Sequence, residues 1–443
     1  MSELDLNRRM FIAGSLGLAG IGTLSTRAQA SPASKAKALP KSFLFGCAVA
    51  GHQVEGNNVN SDFWVYENVN PTLFTERSGD ACDHYHRYEE DIALTARLGF
   101  NCIRLSIEWS RIEPEAGFFS QAEIDRYERV LECCHKHGLA PFVTYNHFTA
   151  PRWFAARGGF SRDDSSELFA RYADKATSRL GPLIAAAATF NEPNLLQSVF
   201  WHKASLAESP KAMQMAAAAA RACGSETFVT FYSSGSDAIQ ANYLAAHAKA
   251  YEAIKSVAGN FPVGVNIAIS DEQGVGPNNL ATQRQKDCYG SWLEAAAKSD
   301  FVGVQTYSRN RTGPDGDLGP EAGAELTQMG YEFYPQALGA TIRHAAAVTG
   351  KPVYVTENGI GTEDDTRRIA YIDAALAEVD NCIKDGVDVR SYIHWSLLDN
   401  FEWIFGYRPK FGLVSVDRKT FERSPKPSAH YLGAIARART TRS

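Results

Sequence analysis

Among the eight cysteines of this 443-residue chain, no two stand in the Cys-x-x-Cys spacing. That absence excludes a zinc ribbon, and eight cysteines in so long a chain are too few for a disulfide scaffold. Cys47 and Cys102 fall inside apolar, strand-like runs, and Cys133 and Cys134 are adjacent, so most of the eight are expected to be buried free thiols. Basic runs are missing too, as is any stripe of interleaved cationic and aromatic residues, and nothing in the net charge of −5 points to nucleic acid. The only N-terminal apolar stretch, inside Met10 to Thr26, covers ~15 residues, short of the ~20 needed to cross a bilayer. No composition break or linker divides the middle of the chain. What remains is an ordinary globular composition, 44% hydrophobic, ample for one large core.

The N-terminus reads as an address. Arg8-Arg9-Met10-Phe11-Ile12 opens the low-charge stretch, and Ala28-Gln29-Ala30 offers the small residues a signal peptidase needs. Residues 1–30 are therefore expected to be a twin-arginine signal peptide, residues 31–41 a small-residue linker, and residues 42–443 a single catalytic-size domain. The expected location is periplasmic or secreted. Twin-arginine export carries folded proteins, so the fold should form in a reducing cytoplasm without disulfides.

Beyond the linker, apolar runs alternate with helix-like stretches. Strands are predicted at Phe43–Val49, Cys102–Glu108, Ala140–Tyr145, Ala186–Phe190, Val263–Ile269, Phe301–Thr306, Val353–Thr356 and Ser391–Ser396. Their continuous apolarity is the pattern of parallel strands covered on both faces. Between them, Tyr85, Tyr88, Ile92 and Ala96, and again Ile124, Tyr127, Leu131 and Cys134, recur at helical spacing. Eight strand–helix repeats predict an α/β fold, a (β/α)8 TIM barrel in a single domain. Lys211–Ala222 is expected to be a helix over the barrel mouth, and Gly224–Gly235 a polar loop.

Two carboxylate motifs stand out on that register. Phe190-Asn191-Glu192-Pro193 follows the fourth strand and Thr356-Glu357-Asn358-Gly359 the seventh. Both glutamates thus belong to the C-terminal rim, where barrel active sites are built, although 165 residues separate them in sequence. A pair of carboxyls suits acetal cleavage, because one can protonate the leaving oxygen while the other, ionised, meets the charge developing on carbon. Either motif alone could be a strand end followed by a turn.

With these stand Phe43-Leu44-Phe45-Gly46 through Gln53-Val54-Glu55-Gly56, Asp83-His84-Tyr85-His86-Arg87-Tyr88, Arg104-Leu105-Ser106-Ile107-Glu108-Trp109-Ser110-Arg111, and Trp395-Ser396-Leu397-Leu398-Asp399-Asn400-Phe401-Glu402-Trp403. Six such stretches in this order resemble glycoside hydrolase family 1, the retaining β-glucosidase family, along nearly the whole length after residue 41. The resemblance implies Glu192 as acid/base, Glu357 as nucleophile, and Arg104 and Tyr307 as the groups that touch the nucleophile. It also implies a sugar-binding set of Gln53, His147, Asn191, Trp395, Glu402 and Trp403. Amide, imidazole and carboxylate groups would meet the hydroxyls of a pyranose, and an indole face its C–H surface. The implied activity is hydrolysis of β-glucosides or related β-glycosides by an exo-acting enzyme, through a covalent glycosyl-enzyme, with no cofactor and no metal. Its partner would be a small-molecule β-glycoside, not nucleic acid, and not a membrane once the signal is removed.

Some positions depart from the family pattern. Where His-Trp-Asp is usual, the chain reads His147-Phe148-Thr149-Ala150-Pro151, and Phe148 lacks an indole donor. Gln305 stands where an Asn is usual. The segment after Pro193 lacks the familiar Gly and Pro punctuation, so the leaving-group side should be unusual. Rival readings are a carbohydrate-binding relic, a 6-phospho-β-glycosidase, a transglycosidase and a metal-dependent barrel hydrolase. Glu402 opposes the phosphate reading, since a carboxylate beside O6 would repel phosphate. His84-x-His86 and the Cys133, Cys134, His135, His137 group show no further ligands at metal spacing and read as structural.

Overall fold

The computed structural model describes residues 39, 42–257 and 260–440. The proposed signal peptide and nearly all of the linker lie outside the described residues. Eight parallel strands close into a barrel: β1 Leu44–Ala48, β2 Cys102–Ser106, β3 Ala140–Asn146, β4 Ala186–Asn191, β5 Val263–Ala268, β6 Phe301–Gln305, β7 Val353–Asn358 and β8 Val389–Trp395. Each strand pairs with its neighbour in sequence, and β8 returns to β1 with Leu44 opposite Ser391 and Ala48 opposite Trp395. These are the eight strands the apolar runs predict, and the barrel is the predicted fold. No described helix is long and apolar enough to cross a membrane.

The barrel places its chemistry by a change in what its strands point inward. Low in the barrel, Cys102, Phe142, Ala186, Phe301 and Tyr354 form one buried apolar cluster. Phe142, Phe301 and Tyr354 fill it with mutually tilted rings, the closest pair 4.4 Å between centroids. Two residues further along β2 and β3 come Arg104 and Thr144, at the ends of β4 and β6 come Asn191 and Gln305, and one residue before the end of β7 comes Glu357. Since alternate strand residues share a face, apolar packing gives way to a polar layer at the C-terminal rim.

Pairing is irregular where that layer is built. The register shifts between Ala188 and Asn191 on β4 and between Val355 and Glu357 on β7. Such bulges re-aim side chains. Here they mean that β7 continues through Asn358, so Glu357 lies within the strand, not beyond it as the predicted end at Thr356 implied.

The helix Gln121–Lys136 buries the four residues its period singled out, Ile124, Tyr127, Leu131 and Cys134. In His84–Leu98 the buried face is different from the predicted one. Asp91, Leu94, Thr95 and Leu98 join Ile92, while Tyr85, Tyr88 and Ala96 are half-buried. The reason is Asp91, a charged residue drawn inward by its pairing with Arg423. A helix does form at Pro210–Ala222, packed against the helix Asp62–Asn68. The stretch 224–235 corrects the polar-loop expectation: Phe228, Phe231 and Tyr232 are buried there, because they pack on Tyr66, Phe148 and Phe63.

Candidate active site

Glu357 is held from two sides. The Arg104 guanidinium forms an ion pair with its Oε1, and the Tyr307 hydroxyl donates to Oε2 at 2.6 Å. Arg104 is itself immobilised, donating to Thr144 Oγ1 at 3.1 Å, the Thr356 carbonyl at 3.4 Å and Asn191 Oδ1 at 2.5 Å. Gln305 donates to the same Asn191 oxygen at 2.9 Å. With its oxygen occupied twice, the Asn191 amide presents its NH2 end as a donor for a ligand.

Glu192 lies just past β4 with φ +44°, a left-handed conformation fixed by its N–H donating to the Asn266 carbonyl at 2.8 Å. Its carboxyl is buried and takes no hydrogen bond from the described residues. Burial, reinforced by the charges of Glu357 and Glu402 and opposed by Arg104, pushes it well above the usual carboxylate range. Burial leaves Glu357 raised as well, but less so, because Arg104 and Tyr307 oppose the rise. Glu357 therefore ionises first, and Glu192 keeps its proton.

The remaining predicted residues surround this pair. Glu402 accepts from the Trp395 indole N–H at 3.3 Å, and burial pushes its carboxyl up to about 8. Gln53 donates to Asn400 Oδ1 at 3.1 Å and to the Phe401 carbonyl at 2.8 Å, and its Oε1 is buried without a partner. His147 stacks on Trp395 with ring centroids 5.5 Å apart and on Trp403 at 6.1 Å, its Nδ1 is also unpartnered, and burial next to Arg104 keeps the ring neutral. Buried polar atoms are nearly always satisfied, so two unsatisfied ones beside a carboxyl pair mark places for ligand hydroxyls. All ten predicted site residues thus gather at one end of the barrel.

Comparison with known proteins fits this arrangement. The model of glycosyl hydrolase family 1 matches residues 35–313 and 297–441. The chain belongs to glycosyl hydrolase family 1. Beta-glucosidase A of Acetivibrio thermocellus is 30% identical, over 89% of this chain and 97% of its own. Among solved structures, β-glucosidase 1317 is 52% identical with a TM-score of 0.86, covering 89% of this chain and 98% of its own. The β-glycosidase BGL167 is also 52% identical, with a TM-score of 0.86 over 90% of this chain and 97% of its own. The protein is thus an O-glycosyl hydrolase of the β-glucosidase type.

Family membership makes the departures informative. Phe148, in a left-handed conformation at φ +72°, packs its ring 4.2 Å from Phe231 and edge-on to Trp403 at 5.3 Å. Thr149 donates to Glu108 at 2.8 Å, inside a buried network with His52 and Asn58. Gln305 spans to Asn191 with its longer side chain. Tyr331, 6.4 Å from Tyr307 between ring centroids, was missed, as was the Phe231 support; Tyr331 lies in a loop and Phe231 in a short 3-10 turn, and neither carries a motif. His52, stacked on Trp403 with centroids 5.9 Å apart and bonded to Glu67 at 2.7 Å, was also missed. The histidine motifs serve local structure. His84 pairs with Asp91 at 2.8 Å, His86 with Asp83 at 2.7 Å, and His135 with the Leu183 carbonyl at 2.8 Å. Among the described residues no group of three or more His, Cys, Asp or Glu is arranged to hold a metal.

Proposed function

We propose that the protein is an exported, exo-acting retaining β-glucosidase in which Glu357 attacks the anomeric carbon and Glu192 protonates the leaving oxygen. The observation that carries this reading is the contrast between the two carboxyls. Glu357 is clamped ionised by Arg104 and Tyr307, whereas Glu192 is buried without a hydrogen bond and holds its proton. After the leaving group departs, Glu192 is the base that activates water against the glycosyl-enzyme. Gln53, His147, Asn191, Glu402 and Trp403 bind the sugar hydroxyls, and Trp395 stacks on the C–H face. The buried Glu402 carboxyl, already short of stabilising partners, disfavours a phosphorylated sugar. Export rests on Arg8-Arg9 and Ala28-Gln29-Ala30, with residues 1–30 as the signal, 31–41 as linker and 42–443 as the hydrolase domain.

The two glutamates can be told apart by rescue. In Glu192→Ala, azide should restore turnover of an activated nitrophenyl β-glucoside and yield the β-glycosyl azide, since the nucleophile survives and azide needs no general base. In Glu357→Gln, azide should give no β-linked product. Equal, unrescued losses in both variants would overturn the assignment.

A further inference from the structure

Outside the carboxyl pair opens a cavity of about 950 Å³, and its lining is unlike the sugar-binding set. Leu195, Leu196 and Val199 come from the short helix that begins three residues after Glu192, and Phe200 follows them. Phe231, at the start of the 3-10 turn Phe231–Ser233, and Leu318, from a loop, line the cavity with them. Three charged residues belong to the lining, and each is already engaged. Lys203 pairs with Asp317 at 2.7 Å, and Glu321 with Arg309 at 2.8 Å. The cavity continues into the catalytic centre, since Trp403, Phe148 and Tyr331 belong to its wall, and Tyr331 is close enough to feel the charges of Glu192, Glu357 and Glu402. At its mouth Val199 and Leu318 are 47% and 48% exposed.

A second sugar would need hydroxyl partners along this wall and would leave apolar side chains facing its polar edges. An apolar group gains by displacing water from them. Exposed apolar residues clustered at the rim of a cavity are the usual mark of a binding surface. We infer that the leaving-group site takes a bulky apolar alcohol or phenol, and that this enzyme discriminates for such aglycones against a second sugar. The inference rests on the β-glucosidase reading and extends it to the leaving-group class. The segment after Pro193, without the punctuation common in the family, supplies the apolar wall on the acid side.

The test is kcat/KM, read as glucose release by the full-length enzyme, for methyl, propyl and hexyl β-glucosides and for cellobiose. Leaving-group acidity hardly changes along the alkyl series, so the trend reports binding in the transition state. Each buried methylene should raise kcat/KM about two- to fourfold, and hexyl glucoside should exceed cellobiose by at least about tenfold. Val199→Asp and Leu318→Asp, at exposed positions that the fold tolerates, should each lower the hexyl-to-methyl ratio at least about threefold by placing a charge at the rim. A flat alkyl series, a preference for cellobiose, or an unchanged ratio in both variants would overturn the inference. Turnover of nitrophenyl β-glucoside in those cases would leave the β-glucosidase reading standing. No turnover of any glucoside would overturn both.

Discussion

At the scale of single residues, Tyr307 and Glu402 push charge in opposite directions. The Tyr307 hydroxyl stabilises the ionised form of Glu357, so Tyr307→Phe should let burial raise that carboxyl further. A hydrogen bond to a charged group contributes about 1.5–3 kcal/mol, so kcat/KM should fall roughly ten- to hundredfold. The acid limb of the pH profile should move to higher pH, because more of Glu357 is protonated at any given pH. An unmoved limb would mean that the phenol packs without tuning the nucleophile. Glu402 is the reverse case. Its folded-state carboxyl titrates near 8, against about 4.3 in the unfolded chain. Between those values the folded state binds the extra proton, so this group's contribution to stability falls as pH rises across the window. Glu402→Gln removes that penalty. Its melting temperature should exceed the wild type's more at pH 7.5 than at pH 4.5, by an amount worth roughly 1–3 kcal/mol, while kcat/KM falls through loss of the proposed sugar contact. A gain of equal size at both pH values would show that burial of charge is not its source.

Among the elements, the strands were legible because the barrel buries both of their faces, and burial writes itself into sequence as continuous apolarity. Their catalytic ends were less so. Nothing in Val353–Thr356 announces the register shift that carries β7 through Glu357 to Asn358. The ten residues that gather at the rim were singled out through motifs, not through periodicity. The outer cavity had no motif at all, because side chains from short helices and loops meet there, among them Leu195, Phe231, Leu318 and Tyr331, which are far apart in sequence. Arg423 pulling Asp91 inward likewise defeats any reading of a helix by its own period. Strand contacts also impose a limit that composition does not show. At Gly46 on β1 an added Cβ would lie 2.3 Å from the Cys102 carbonyl oxygen on β2. Backbone cannot yield as a flexible side chain can, so Gly46→Ala should cost roughly 1–3 kcal/mol by forcing the two strands apart. The midpoint of urea unfolding should drop at unchanged m-value. An unchanged midpoint would mean that the barrel adjusts at this seam.

Over the whole molecule, the proposed route to the periplasm and the state of the thiols depend on one another. All eight cysteines are free, and all but Cys223 are buried. Burial raises Cys47, Cys82, Cys134 and Cys288 to about 12 and Cys382 to about 11, so at neutral pH they carry almost no thiolate and react slowly. A chain folded before export, as the proposed twin-arginine signal would require, would enter an oxidising compartment with these groups already sealed in its core. Protein recovered from the periplasm should therefore begin near Ser31 and keep all eight thiols. Alkylation of the native protein should label Cys223 at most, and after denaturation all eight sites should react. Melting curves with and without reductant should superimpose. A mass showing disulfides, or a Met1 form retained in membranes, would separate the protein from this route and show that its core closes only after the chain has crossed.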